Sequence, residues 1–224
     1  MATFVLIPGA GSDPRYWRFV VDALSDLGHR CVAIDLPCDD DDAGLAEYVD
    51  AAVAQTPDDV DTPVVVAHSF GGFTGPLLAE RLGASALVFA QAMIPRPGER
   101  PGDWWHDTGA EAHQARAARE GGWDLEDIDG LFYNGVPPEV VATEVERRQS
   151  DTPSELPWPG AALPDVPTRF LIFRDDRFFP ESLIREVVAD RLPGVVPDEV
   201  PGGHMAMLSH PSEIAGYLDS LVNR

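Results

Sequence analysis

The feature that most constrains this chain is Val64-Val65-Val66-Ala67-His68-Ser69-Phe70-Gly71-Gly72, an apolar run that stops at a serine and passes into glycines. β-Branched valines suit a buried strand, and residues without bulk allow a turn tight enough to hold a side chain in a strained backbone conformation. The stretch therefore predicts strand, sharp turn, helix, with Ser69 at the apex. Such a turn leaves the first N–H groups of the helix unpaired, so the N–H of Phe70 can face negative charge on a reacting carbonyl oxygen. The pattern is close to Gly-x-Ser-x-Gly, with Ala67 at the first glycine; an ordinary strand-to-helix turn is the plainer alternative.

A chain of 224 residues, 44% of them hydrophobic, can bury one substantial core, and no Pro- or Gly/Ser-rich linker divides it. One domain, residues 1–224, is expected. The formal net charge of -22 opposes binding to nucleic acid or to anionic membranes. All 16 basic residues are arginine, the bias of a GC-rich genome or of a salt-adapted source. The apolar start, Met1 to Ile7, is short, lacks a basic flank and runs into Pro8-Gly9, so it reads as a first strand and not a signal peptide. Two cysteines, Cys31 and Cys38, are too few for a disulfide framework, and a cytoplasmic protein is expected.

The strand Thr3 to Ile7 ends in Pro8-Gly9-Ala10-Gly11-Ser12, before a helix over about 14–27. A dinucleotide fingerprint would place its third glycine at Pro14, so the loop reads better as a second donor to an oxyanion, through the N–H of Ala10. Next come a strand over 30–36, a helix over about 43–55, the central strand and its helix through Leu82, and a strand over 86–90. Strand–helix–strand alternation implies a parallel sheet. The run Asp39 to Asp42 reads as a solvated loop, since consecutive carboxylates diverge and no glycine-spaced ligand loop surrounds them.

From about Pro95 to Pro164 the alternation breaks. Trp104, Trp105, Trp123 and Trp158 are scattered among helix-like pieces, 111–119 and 138–149, and the segment reads as a lid inserted after a sheet strand. Its aromatics can cover an apolar pocket or seal the lid onto the sheet. The sheet resumes over 168–173, followed by a helix over 181–191, a short strand near 195–200 and a last helix over 211–222.

A serine hydroxyl needs a base within hydrogen-bond reach and an anion that fixes the tautomer of that base. Both follow in the order serine, aspartate, histidine: Asp176, with Asp175 as its neighbour and rival, after the strand at 168–173, and His204 after Gly202-Gly203. Each falls at the carboxyl end of an expected strand, where open parallel sheets carry their chemistry. His68 should point away from Ser69, behind the turn. No ligand pair supports a metal, and no cofactor is expected.

These residues resemble the α/β-hydrolase superfamily, and within it the esterase and hydroxynitrile-lyase branch typified by plant methylesterases. Phe4-Val5-Leu6-Ile7-Pro8-Gly9-Ala10 with Trp17 looks like the branch's first strand and oxyanion loop, although the branch has His-Gly where this chain has Pro8-Gly9. Asp176-Arg177-Phe178-Phe179-Pro180 is similar to its acid loop, with the aspartate four residues before a proline, which favours Asp176 over Asp175. His204-Met205-Ala206-Met207-Leu208-Ser209-His210-Pro211 is the closest match and carries the base.

The resemblance implies an α/β-hydrolase fold and a serine hydrolase that cleaves small apolar esters through Ser69, His204 and Asp176, with Ala10 and Phe70 as oxyanion donors. Lyases of the branch place lysine after the histidine, where this chain has Met205. Met93, Trp104, Phe132, Phe179 and Met205 are candidate pocket residues, and a monomer or homodimer is expected. The alternatives are a ligand-binding protein on the same scaffold, or a lyase or C–C hydrolase using the same three residues.

Overall fold

The computed structural model describes residues 1–145 and 147–223. Six strands lie in one sheet in the order β2-β1-β3-β4-β5-β6, every neighbouring pair parallel. They are β1 (Thr3–Ile7), β2 (Arg30–Ala33), β3 (Val64–His68), β4 (Ala86–Ala90), β5 (Thr168–Phe173) and β6 (Asp198–Val200). Successive side chains of a strand point to opposite faces, and the core divides accordingly. Val5, Ile7, Val65, Ala67, Leu87, Phe89, Phe170 and Ile172 form one buried cluster. Helices α2 (Leu45–Gln55), α3 (Gly75–Leu82) and α9 (Glu181–Arg191) cover it.

The alternate residues, among them Phe4, Leu6, Val64, Val66, Leu171 and Phe173, form a second cluster on the other face. There α1 (Arg18–Asp26), α10 (Ala206–Ser209) and α11 (Pro211–Val222) supply Val20, Leu24, Met207, Ile214 and Leu218. Among the described residues between β4 and β5 there are five helices: α4 (Trp104–Asp107), α5 (Ala110–Gly121), α6 (Ile128–Phe132), α7 (Pro138–Val141) and α8 (Thr152–Glu155). Trp104 and Trp158 of this segment join the first cluster, and Trp158 Nε1 donates to the carbonyl of Phe73 at 2.9 Å.

Several elements are shorter than the sequence pattern implies. The helix expected over 14–27 opens as a 3-10 turn, Pro14–Trp17, capped by the Asp13 carboxylate on the N–H of Arg15. Strand β2 stops at Ala33, although the N–H of Ile34 still reaches Leu6 at 3.0 Å. Pro197 removes a ladder donor, so β6 is confined to Asp198–Val200. The helix expected over 138–149 ends at Val141, because Arg147 and Gln149 bond elsewhere: the N–H of Arg147 donates to Gly11 and Gln149 Oε1 accepts from the N–H of Gly11, both at 2.9 Å. Among the described residues no helix is long and apolar enough to cross a membrane.

Candidate active site

Strand β3 ends at His68, and Ser69 follows in the left-handed region at φ 51°, a conformation that costs a non-glycine residue about 1–3 kcal/mol. The surroundings hold it there. The carbonyl of Ser69 accepts from the N–H of Met93 at 3.0 Å. A Cβ on Gly71 would lie 2.4 Å from the Pro8 carbonyl oxygen, and one on Gly72 1.8 Å from that of Met93, so only glycine permits this approach. The first loop also comes near, since a Cβ on Gly9 would lie 3.1 Å from that of Ser69.

Two loops complete the constellation. His204 follows β6, and its Nε2 lies 3.1 Å from Ser69 Oγ. Asp176 follows β5, and its Oδ2 lies 2.7 Å from His204 Nδ1. The other oxygen, Oδ1, accepts from the N–H groups of Phe178 and Phe179 at 2.7 and 3.0 Å. A carboxylate only accepts, so Nδ1 carries the proton and Nε2 is left to accept from the Ser69 hydroxyl. All three residues are buried, and the rings of Phe132, Phe178 and Phe179 stand 5.0–5.2 Å from the imidazole of His204. Asp175 turns away and takes the N–H of Gly202 on Oδ2 at 2.9 Å.

A cavity of about 400 Å³ opens above Ser69 and His204. Ala10 and Phe70 line it, as do four of the five expected pocket residues, Met93, Phe132, Phe179 and Met205. Trp104 does not: it is fully buried against Phe179 and Trp105, and Trp105 faces the cavity in its place. Adjacent tryptophans on a helix cannot share a face, and the sequence offered no signal for which one turned inward. Phe178 and Tyr133 also line the cavity unanticipated, each beside a residue already in view.

His68 lies behind the turn. Its Nδ1 is 3.1 Å from the Tyr16 hydroxyl and its Nε2 3.0 Å from the carbonyl oxygen of His204. Burial, with His204 nearby, holds its pKa well below the usual imidazole value, and burial raises that of Tyr16. The run Asp39–Asp42 is exposed but for partial pairing: Arg147 meets Asp35 at 2.5 Å and Asp39 at 2.9 Å, and Arg148 meets Asp41 at 2.6 Å.

A parallel sheet whose strand ends carry a strained serine, a histidine and a carboxylate in one hydrogen-bonded line defines an α/β hydrolase. The sequence matches the alpha/beta hydrolase family over residues 4–216, and the chain belongs to that family. Among its relatives is PIR7A, a probable esterase of Oryza sativa subsp. indica, 31% identical over 253 residues that cover 96% of this chain and 94% of the relative. Among solved structures, a pyrethroid hydrolase from Sphingobium faniae JZ-2 matches with a TM-score of 0.82 at 20% identity, over 98% of this chain and 96% of that one. Polyneuridine aldehyde esterase matches over the whole of both chains, with a TM-score of 0.78 at 21% identity. Both share the fold.

Proposed function

We propose that the protein is a carboxylic ester hydrolase acting on small apolar esters, with Ser69 as nucleophile, His204 as general base and Asp176 as its orienting anion. The observation that carries this reading is the unbroken line Asp176–His204–Ser69 at the floor of an aromatic-lined cavity. Esterase relatives spanning nearly the whole chain support it.

As Ser69 Oγ attacks the ester carbonyl, its proton passes to His204 Nε2, and the imidazolium is stabilised by Asp176. The carbonyl oxygen gains the negative charge and meets the N–H groups of Phe70 and Ala10. Collapse expels the alcohol, which takes the proton back from Nε2 and leaves an acyl group on Oγ. Water then attacks the acyl carbon as His204 Nε2 takes one of its protons, and the second collapse breaks the bond to Oγ, passes that proton from Nε2 to Oγ and releases the acid.

Residues 95–164 act as the lid, since Trp105, Phe132 and Tyr133 give the cavity much of its apolar wall. Met205, apolar and against the base, offers no charge for a cyanide leaving group, so hydrolysis is favoured over cyanohydrin cleavage. The free thiols of Cys31 and Cys38 suit a reducing, cytoplasmic compartment.

The test is intact-mass analysis after fluorophosphonate treatment, together with turnover of short p-nitrophenyl esters. Wild type should gain one adduct and hydrolyse the esters; Ser69→Ala should do neither. An unlabelled, inactive wild type would overturn the reading in favour of ligand binding without turnover.

A further inference from the structure

We propose that Tyr16 and His68 are positioning residues that fix the oxyanion loop and the general base relative to each other. The inference rests on the hydrolase reading above and deepens it.

His68 continues the alternation of Val64 and Val66, so its side chain leaves β3 on the face that carries Trp17 and Phe173, and with Tyr16 it also borders the inner end of the cavity. Its Nε2 lies against the carbonyl oxygen of His204 at 3.0 Å. A carbonyl only accepts, so Nε2 bears the proton. The ring is fully enclosed and neutral, which leaves Nδ1 bare. The Tyr16 hydroxyl, 3.1 Å away, therefore donates to Nδ1, and one of its lone pairs accepts the N–H of Gly9 at 2.9 Å.

Each proton in this chain has one destination: Gly9 N–H to Tyr16 oxygen, Tyr16 O–H to His68 Nδ1, His68 Nε2–H to the His204 carbonyl. One end grips the peptide next to Ala10, the oxyanion donor of the first loop. The other grips the backbone of the base itself. Pro8 has no N–H, so Gly9 is the first residue after β1 whose N–H can anchor that loop, and Tyr16 takes it. The Tyr16 ring is fixed in turn by stacking on Trp17, at 5.3 Å between centroids.

The energetic reason for such a tie is that both groups act only in the transition state. The donor must meet an oxygen that has moved out of the carbonyl plane, and the base must be in line with Oγ at the same moment. A tie that holds two loops in one register serves that step and adds little to the binding of substrate.

The test compares Tyr16→Phe, which removes one oxygen, with wild type on p-nitrophenyl butyrate, and measures inhibition by an aryl trifluoromethyl ketone, whose serine adduct carries an oxyanion. We expect kcat to fall about tenfold with KM within about twofold, and the ketone to bind about tenfold more weakly. His68→Leu should lose at least as much, and His68→Gln, which can still accept and donate, should recover part of it. Thermal unfolding of each variant reports folding separately, and Tyr16→Phe carries the test if His68→Leu does not fold.

Wild-type kcat and ketone affinity in Tyr16→Phe would overturn the inference, as would a loss confined to KM or to melting temperature. Both outcomes leave the hydrolase reading intact. A wild type without turnover or fluorophosphonate adduct would overturn that reading and this inference with it.

Discussion

Asp175 and Asp176 are adjacent in the chain yet serve different partners: Asp176 Oδ2 meets the imidazole of His204 at 2.7 Å, while Asp175 Oδ2 takes the backbone N–H of Gly202 at 2.9 Å. In the proposed mechanism one carboxylate faces a ring that becomes charged; the other braces the loop carrying that ring. Asp176→Asn should lower kcat by about 10⁴, because the amide favours the wrong tautomer of His204. Asp175→Asn keeps a carbonyl oxygen for Gly202 and should retain kcat within about threefold. Steady-state kinetics of the two variants check this, and equal losses would remove the assignment.

Glycines at the turn after Ser69 should tolerate nothing larger, whereas Gly216 should. A Cβ on Gly72 would meet the Met93 carbonyl at 1.8 Å, backbone against backbone, and Gly72→Ala should cost about 3 kcal/mol or more. Gly216 lies within α11, with nothing within 4 Å of where its Cβ would be. There alanine should stabilise, by up to about 1 kcal/mol. Urea unfolding of the pair should give shifts of opposite sign.

The buried His68 makes stability depend on acidity. Its native pKa is depressed by burial, then by His204, so in the unfolded chain it takes up a proton more readily than in the native one. Its contribution is complete above pH ~6.5, the ordinary imidazole value, and drains as pH falls toward the depressed one, at up to about 1.4 kcal/mol per pH unit. Between about pH 7 and pH 5.5, wild type should lose about 1 kcal/mol more than His68→Gln. Denaturant midpoints at the two pH values measure the difference.

What the sequence made legible follows from local constraint. Ser69, Asp176 and His204 each stand where an apolar run stops beside glycine or a charged turn, and parallel sheets bring such ends together. Helix α9 runs over Glu181–Arg191 as its pattern implied, because Pro180 starts it and its apolar spacing continues to Leu192. Contacts made across the chain left no such mark. Tyr16 reads as one more apolar position in a helical stripe, and its hydroxyl acquires meaning only when Gly9 and His68 arrive. Trp104, expected in the pocket, is buried beside Phe179 while Trp105 faces the cavity, and both rings touch Phe179, a neighbour that the sequence of α4 does not reveal. Residues 142–149 scan as helix, yet Arg147 finds the carboxylates of Asp35 and Asp39 and Gln149 finds Gly11.

That last arrangement gives the solvent a hand on the chemistry. Gly11, one residue beyond Ala10, is bonded to a strip of chain held by the N–H of Ser150 on the Cys38 carbonyl, by Gln149 Nε2 on the Tyr48 hydroxyl and, at the surface, by the guanidinium–carboxylate pairs of Arg147 with Asp35 and Asp39 and of Arg148 with Asp41. Their field reaches about 8 Å at physiological ionic strength and about 3 Å at 1 M. Raising ionic strength should loosen the strip and, through Gly11, the first loop, so that turnover falls along the same titration that dissolves the pairs. With Arg147→Met and Arg148→Met together that dependence should flatten, because the variant has already lost what electrolyte takes away. An acidic enzyme of this kind carries on its rim a gauge of the water around it.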